Sequence, residues 1–133
     1  MLLKWYDSNK RILPWRENLN PYAIWISEVM LQQTRVNTVI PYYIRWIKKF
    51  PTIRSVARAD LNLLFKLWEG LGYYSRCKNF YKASQIVENK YKGTIPDNYS
   101  LFRKLPGVGD YIAGAVMSIA FNKNYPAIDG NIK

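Results

Sequence analysis

The chain has 133 residues, with 20 Lys and Arg against 9 Asp and Glu, giving a formal net charge of +11. Hydrophobic residues make up 49% and charged residues 22%, a composition that excludes a disordered tail, and a single domain over 1–133 is expected. Without histidine there is no Ser–His–Asp triad, no His metal site and no His acid–base chemistry, so proton transfer falls to Glu, Asp, Lys or Tyr.

One cysteine, Cys77, excludes an intrachain disulfide and a cysteine-ligated metal site built from this chain. No apolar run approaches the ~18–20 residues of a membrane span. Charges such as Lys4 and Asp7 come too early for a signal peptide, so a reduced, intracellular setting is expected. A small domain at +11 repels itself unless a polyanion neutralises it, which points to nucleic acid. The aromatic share of 16% suits base stacking, though it suits a core as well.

The periodicity is helical throughout, and an all-α fold is expected. Residues 1–9 read as a short helix and 11–21 as a loop broken by Pro14 and Pro21. A helix over 21–34 follows, with Asn20 as N-cap and Pro21 in the first turn. Tyr22, Trp25, Ile26, Val29, Met30 and Gln33 form one stripe, while Ile24 and Leu31 lie on nearly the opposite face. Such a helix is buried on both sides. Further helices are expected over 36–49, 52–59, 61–68, 73–91, 98–104 and 110–121. In the long 73–91 helix, Phe80, Ala83, Ser84, Val87 and Tyr91 point inward and Arg76, Lys78, Lys82 and Lys90 mostly outward.

Five constellations can carry chemistry. Leu105-Pro106-Gly107-Val108-Gly109 is a tight hairpin over 105–109. Its two glycines expose backbone N–H groups, and the following helix adds its positive dipole end, a cradle for phosphate. Leu105 and Val108 can pin it to the core; a plain interhelical turn is the alternative. Asp110 follows it and can cap the next helix, although its charge sits near the expected phosphate.

Glu28 lies between Ile24 and Leu31 on the second apolar face of its helix. Lost hydration there favours the protonated carboxyl, the form a general acid needs. The alternative is a structural Glu, paired for example with Arg35. Asp129, in Asp129-Gly130-Asn131, offers a second carboxylate or merely an Asx turn. Two carboxylates in different environments suit glycosidic cleavage through an oxocarbenium-like state. Leu31-Gln32-Gln33-Thr34 offers amides that could read base edges or cap a helix. Trp68-Glu69-Gly70-Leu71-Gly72-Tyr73-Tyr74-Ser75-Arg76 holds a glycine turn presenting aromatics that could wedge into a base stack or pack in the core.

Together these runs resemble the helix-hairpin-helix DNA glycosylase superfamily, and within it the adenine glycosylase (MutY) family. The matching runs are Leu13-Pro14-Trp15-Arg16, Trp25 through Thr34, Ile40-Pro41-Tyr42, Leu67-Trp68 through Tyr74, Leu105 through Gly109, and Asp129-Gly130-Asn131. The resemblance covers nearly the whole chain. It implies removal of adenine mispaired with 8-oxoguanine or guanine in double-stranded DNA, with the adenine flipped between two helical subdomains. It assigns Glu28 to protonating adenine N7, Asp129 to stabilising the sugar cation and Asn131 to orienting that site. Arg16 would contact the flipped adenine, Gln33 and Thr34 the 8-oxoguanine side, and Tyr73 would be the wedge beside it. The amides of Gly107, Val108 and Gly109 would hold the DNA backbone.

Position 111 separates relatives. The endonuclease III branch has a lysine there, which gives lyase activity; Tyr111 implies a monofunctional enzyme. The thymine-mismatch branch shares the tyrosine but lacks the acid at Glu28, so a thymine or uracil glycosylase is the second expectation and a non-catalytic DNA-binding fragment the third. The family carries a [4Fe-4S] cluster held by four cysteines in later helices. These are absent here, so the chain is expected to hold mainly the six-helix subdomain, without the iron–sulfur subdomain, as a cytoplasmic, nucleoid-associated monomer.

Overall fold

The computed structural model describes residues 20–32 and 34–122. The expected helix over 1–9, the loop before Asn20, and Arg16, Gln33, Asp129 and Asn131 lie outside the described residues. Among the described residues there are seven helices and no strand: α1 (Pro21–Leu31), α2 (Val36–Lys49), α3 (Ile53–Ala57), α4 (Leu61–Trp68), α5 (Tyr74–Tyr91), α6 (Tyr99–Arg103) and α7 (Asp110–Phe121).

Local sequence sets most of the boundaries. Asn20 Oδ1 accepts from the Tyr22 and Ala23 amides at 2.8 and 3.4 Å, and Pro21 needs no amide partner at the first helical position. Thr52 and Ser55 cap α3 reciprocally, Asp60 caps α4 and Asn98 caps α6. α5 ends at Lys92 and Gly93, both left-handed, and α7 at left-handed Asn122.

α1 is the central strut. It packs against α2, α5 and α7, and Tyr22 through Met30 are all buried. Apolar side chains on both faces, expected from Ile24 lying nearly opposite the Tyr22, Trp25, Ile26, Val29 and Met30 stripe, thus find partners on both sides. Trp25 sits edge-on to Phe80 of α5 at 4.7 Å and to Phe102 of α6 at 4.8 Å, so one ring ties three helices together. Trp46 packs on Trp68 at 5.6 Å, and its Nε1 donates to the Tyr22 hydroxyl at 2.9 Å. That hydroxyl donates in turn to the Phe50 carbonyl at 2.6 Å, so a buried phenol has its polar needs met.

Two sequence expectations change. α1 stops at Leu31 rather than reaching residue 34, and Arg76 is half-buried rather than directed outward. The two have one cause. The Arg76 guanidinium lies over the C-terminal end of α1 and takes the carbonyls that another turn of helix would have used. Tyr91 is only half-buried, and Cys77, not anticipated as inward, is fully buried.

Candidate active site and nucleic-acid interface

Glu28 sits in the middle of α1, 2% exposed, with Ser27 buried beside it. Ser27 donates to the Ile24 carbonyl at 2.7 Å and so is spent within the helix. Across from Glu28 is α7, which packs on α1 and whose small residues Ala113, Gly114 and Ala115 are all buried. This close approach brings Tyr111, in the first turn of α7, to Glu28, and the Tyr111 hydroxyl hydrogen-bonds the Glu28 carboxylate. Burial first, and the Glu28 carboxylate second, push the Tyr111 phenol well above its usual range. The phenol therefore keeps its proton and donates it. Arg35, the other candidate partner, is exposed at the start of α2.

The hairpin lies just before α7. Leu105 and Val108 are buried at 5% and 4%, anchoring it as expected. The two glycines differ. Gly107 has φ +77°, and a Cβ there would meet Asn79 Cβ of α5 at 2.8 Å. Both its dihedral and its neighbour require glycine. Gly109 is the extended N-cap of α7 with φ −96°, and a Cβ there would meet nothing within 4 Å. Gly109 is exposed.

Asp110 is not the cap, since Gly109 holds that position. Its carboxylate accepts from Arg103 Nε at 2.8 Å and from the Tyr99 hydroxyl at 3.0 Å, which hold its pKa below the usual range. Arg103 Nη1 also donates to the Val108 carbonyl at 2.9 Å. The acidic residue beside the hairpin is therefore matched by a cation that also braces the hairpin.

On the other side of α1 are the glycine turn and the end of α1. Gly70 and Gly72 have φ of +99° and +78°. A Cβ at Gly70 would meet the Tyr42 hydroxyl at 2.0 Å, and that hydroxyl donates to the Glu69 carbonyl at 2.7 Å. Tyr73 follows with φ +53°, in the left-handed region that a non-glycine residue enters at a cost. It is 60% exposed, and Tyr74 is 42% exposed with its ring edge-on to Phe65 at 5.5 Å. Neither tyrosine belongs to the core. Thr34 is half-buried and within 3.5 Å of Arg76 Nη2. A cleft of about 40 Å³, lined by Trp25, Val29, Gln32, Arg76, Pro106 and Gly107 among others, runs between this end of α1 and the hairpin. Glu28 and Tyr111 do not line it.

The sequence reading gave Arg76 no partner, because, Gly72 apart, its hydrogen-bond partners lie 42 to 47 residues away. It also missed the pair of cations, Arg54 and Arg58, on Glu88 at 2.7 and 2.8 Å.

Residues 26–133 match the family described as HhH-GPD superfamily base excision DNA repair protein. The chain belongs to this superfamily. It is 48% identical over 134 residues to the adenine DNA glycosylase of Buchnera aphidicola subsp. Acyrthosiphon pisum (strain APS), covering 100% of this chain and 38% of that protein. It is 45% identical over 140 residues to the human adenine DNA glycosylase, covering 98% of this chain and 26% of that protein. The chain thus spans well under half the length of these relatives. Among solved structures, a thermostable thymine-DNA glycosylase superposes with a TM-score of 0.80 at 30% identity, covering 91% of this chain and 56% of that one. A trapped endonuclease III–DNA covalent intermediate superposes with a TM-score of 0.73 at 25% identity, covering 91% and 60%.

The iron–sulfur cluster does not fit this chain. A [4Fe-4S] cluster needs four thiolates, and the sequence has one cysteine. Cys77 is fully buried, and burial pushes its thiol up to about 12. Among the described residues, no group of His, Cys, Asp and Glu could hold a metal ion, and no helix is long and apolar enough to cross a membrane.

Proposed function

We propose that this chain is the acid-bearing part of a monofunctional adenine DNA glycosylase, acting on adenine opposite 8-oxoguanine or guanine. The observation that carries the reading is the buried Glu28 carboxyl hydrogen-bonded by Tyr111. A binding module has no use for a carboxyl group held out of water, whereas base excision needs a placed proton.

In this reading the adenine is flipped out of the stack, and Glu28 donates a proton to its N7. The bond between C1′ and N9 then breaks, its electron pair leaving with the base. Asp129, oriented by Asn131, stabilises the positive charge left on the sugar, and water adds at C1′ to give an abasic site. Tyr111 hydrogen-bonds Glu28 and so helps hold the acid in place. Tyr111 has no amine to form a Schiff base, so the strand is not cut. Arg16 contacts the flipped adenine, Gln33 and Thr34 the opposite base, and exposed Tyr73 is the wedge beside that base. The amides of Gly107 and Gly109 hold a phosphate, with the dipole of α7 behind them, whereas the Val108 amide already donates to the Leu105 carbonyl at 3.1 Å and is not available as expected. The net charge of +11 supports duplex DNA as the partner.

The test is single-turnover release of adenine from a duplex with 8-oxoguanine opposite, by wild type and Glu28→Gln. The reading expects release by the wild type and a loss of at least about a thousandfold in the variant, within the range of a lost acid and its site electrostatics. The likeness to a thymine-DNA glycosylase favours a second reading, a thymine or uracil mismatch enzyme. Release of T or U in preference to A under the same conditions would select it.

A further inference from the structure

We propose that Arg76 is a positioning residue that clamps two turns, the one holding Gln32 and Thr34 and the one holding Gly72 and Tyr73, into a single rigid reader of the mispair. The clamp rests on geometry alone. Its use in reading a mispair rests on the glycosylase reading above.

Arg76 divides its donors between segments far apart in the chain. Nη1 donates to the carbonyls of Val29 at 2.9 Å, Met30 at 3.3 Å and Gln32. Nη2 reaches Thr34 Oγ1 at 3.5 Å and the Gly72 carbonyl at 3.4 Å. The guanidinium carbon lies 5.2 Å from the Tyr73 ring centre and 5.6 Å from that of Trp68. One planar fork therefore ends α1, closes the glycine turn and backs the exposed Tyr73 ring.

A plain helix cap would need only the carbonyls of α1. The bonds to Gly72 and Thr34 and the stacking on Tyr73 add nothing to capping. They fix where one turn sits relative to the other. Tyr73 also starts α5 with a left-handed backbone, a conformation that persists only where its surroundings hold it. Two turns that moved independently would present their groups to a duplex in many relative arrangements, and the entropy of ordering them would blunt the difference between a mispair and a matched pair. Lysine cannot substitute, because one ammonium cannot span both sets of acceptors in a fixed plane.

The experiment measures amide hydrogen exchange and duplex binding for wild type, Arg76→Met and Arg76→Lys, with thermal unfolding recorded for each. The clamp predicts exchange about tenfold faster at both turns in Arg76→Met, with the 105–109 hairpin unchanged. It predicts a similar change in Arg76→Lys, which carries the same readings should the methionine variant fail to fold. Exchange that is unchanged, faster at one turn only, or restored by lysine overturns the clamp. For binding, the expected result is an about tenfold loss of preference for an A:8-oxoguanine duplex over a matched duplex, with matched-duplex affinity held within about twofold. Equal loss on both duplexes overturns the reading role. A wild type with no mispair preference contradicts the glycosylase reading, while the exchange result still decides the clamp.

Discussion

The Tyr111 hydroxyl donates to the Glu28 carboxylate across the contact between α7 and α1. This bond joins the helix that follows the hairpin to the helix that carries the buried acid. The hairpin and Tyr111 thus flank the same helix start, within a few residues of each other.

Replacing Tyr111 by Phe removes that hydroxyl and leaves the ring. A hydrogen bond to a charged group contributes about 1.5–3 kcal/mol, so base release should slow about 10- to 100-fold. Duplex binding should be unchanged, and no strand-cleaving activity should appear. A single-turnover rate equal to wild type would remove Tyr111 from the mechanism.

The two hairpin glycines should respond differently. Gly107→Ala forces a side chain into a left-handed position against Asn79 Cβ and should cost about 1–3 kcal/mol in a urea unfolding experiment. Gly109→Ala has open space and an ordinary φ, so stability should hold. If Gly109 meets a DNA backbone, its variant should still bind duplex less tightly. Equal stability losses at the two positions would contradict the geometry.

Much of this framework is legible in the sequence, for physical reasons that can be named. The bounds of α2, α4 and α7 follow from punctuation beside them: Phe50-Pro51, Asp60 and Gly109. The burial of α1 on both faces follows from Ile24 standing nearly opposite the stripe that holds Tyr22, Trp25, Ile26, Val29 and Met30. The early end of α1 does not follow, because the arginine that replaces its next turn comes from α5. The meeting of Glu28 and Tyr111 is likewise unreadable: periodicity puts a residue on a face of its helix but does not say which helices touch. The small residues Ala113, Gly114 and Ala115 hint that something approaches α7 closely, without naming α1. Tyr73 could be read equally as core or wedge, and its exposure decides against the core.

Arg103 should matter more for binding than for folding. It is well exposed, so Arg103→Ala should change stability little. It leaves Asp110 unneutralised beside the hairpin, however, and duplex affinity should fall. Adding Asp110→Asn in the same chain should recover most of that loss. Binding titrations at fixed salt test this, and failure of the second change to restore affinity would argue that Arg103 touches DNA itself.

Glu88 provides a pH signature. Hydrogen bonds from Arg54, and then from Arg58, hold its carboxyl below the usual range. A lowered folded value means the pair stabilises above the unfolded carboxylate pKa, about 4.3, and that this support fades as pH falls through the folded value. Wild type should therefore exceed Glu88→Gln in thermal stability near neutrality, and the gap should close below about pH 4. A gap independent of pH would mean the side chain acts by packing alone.

Glu28 is proposed to supply the proton for adenine release. The most direct measurement of this role is the single-turnover rate on an A:8-oxoguanine duplex, alkali-developed, for wild type and Glu28→Gln at matched duplex occupancy. Release by the wild type, lost in a variant that still binds, is the predicted result. Release by Glu28→Gln at the wild-type rate would contradict it.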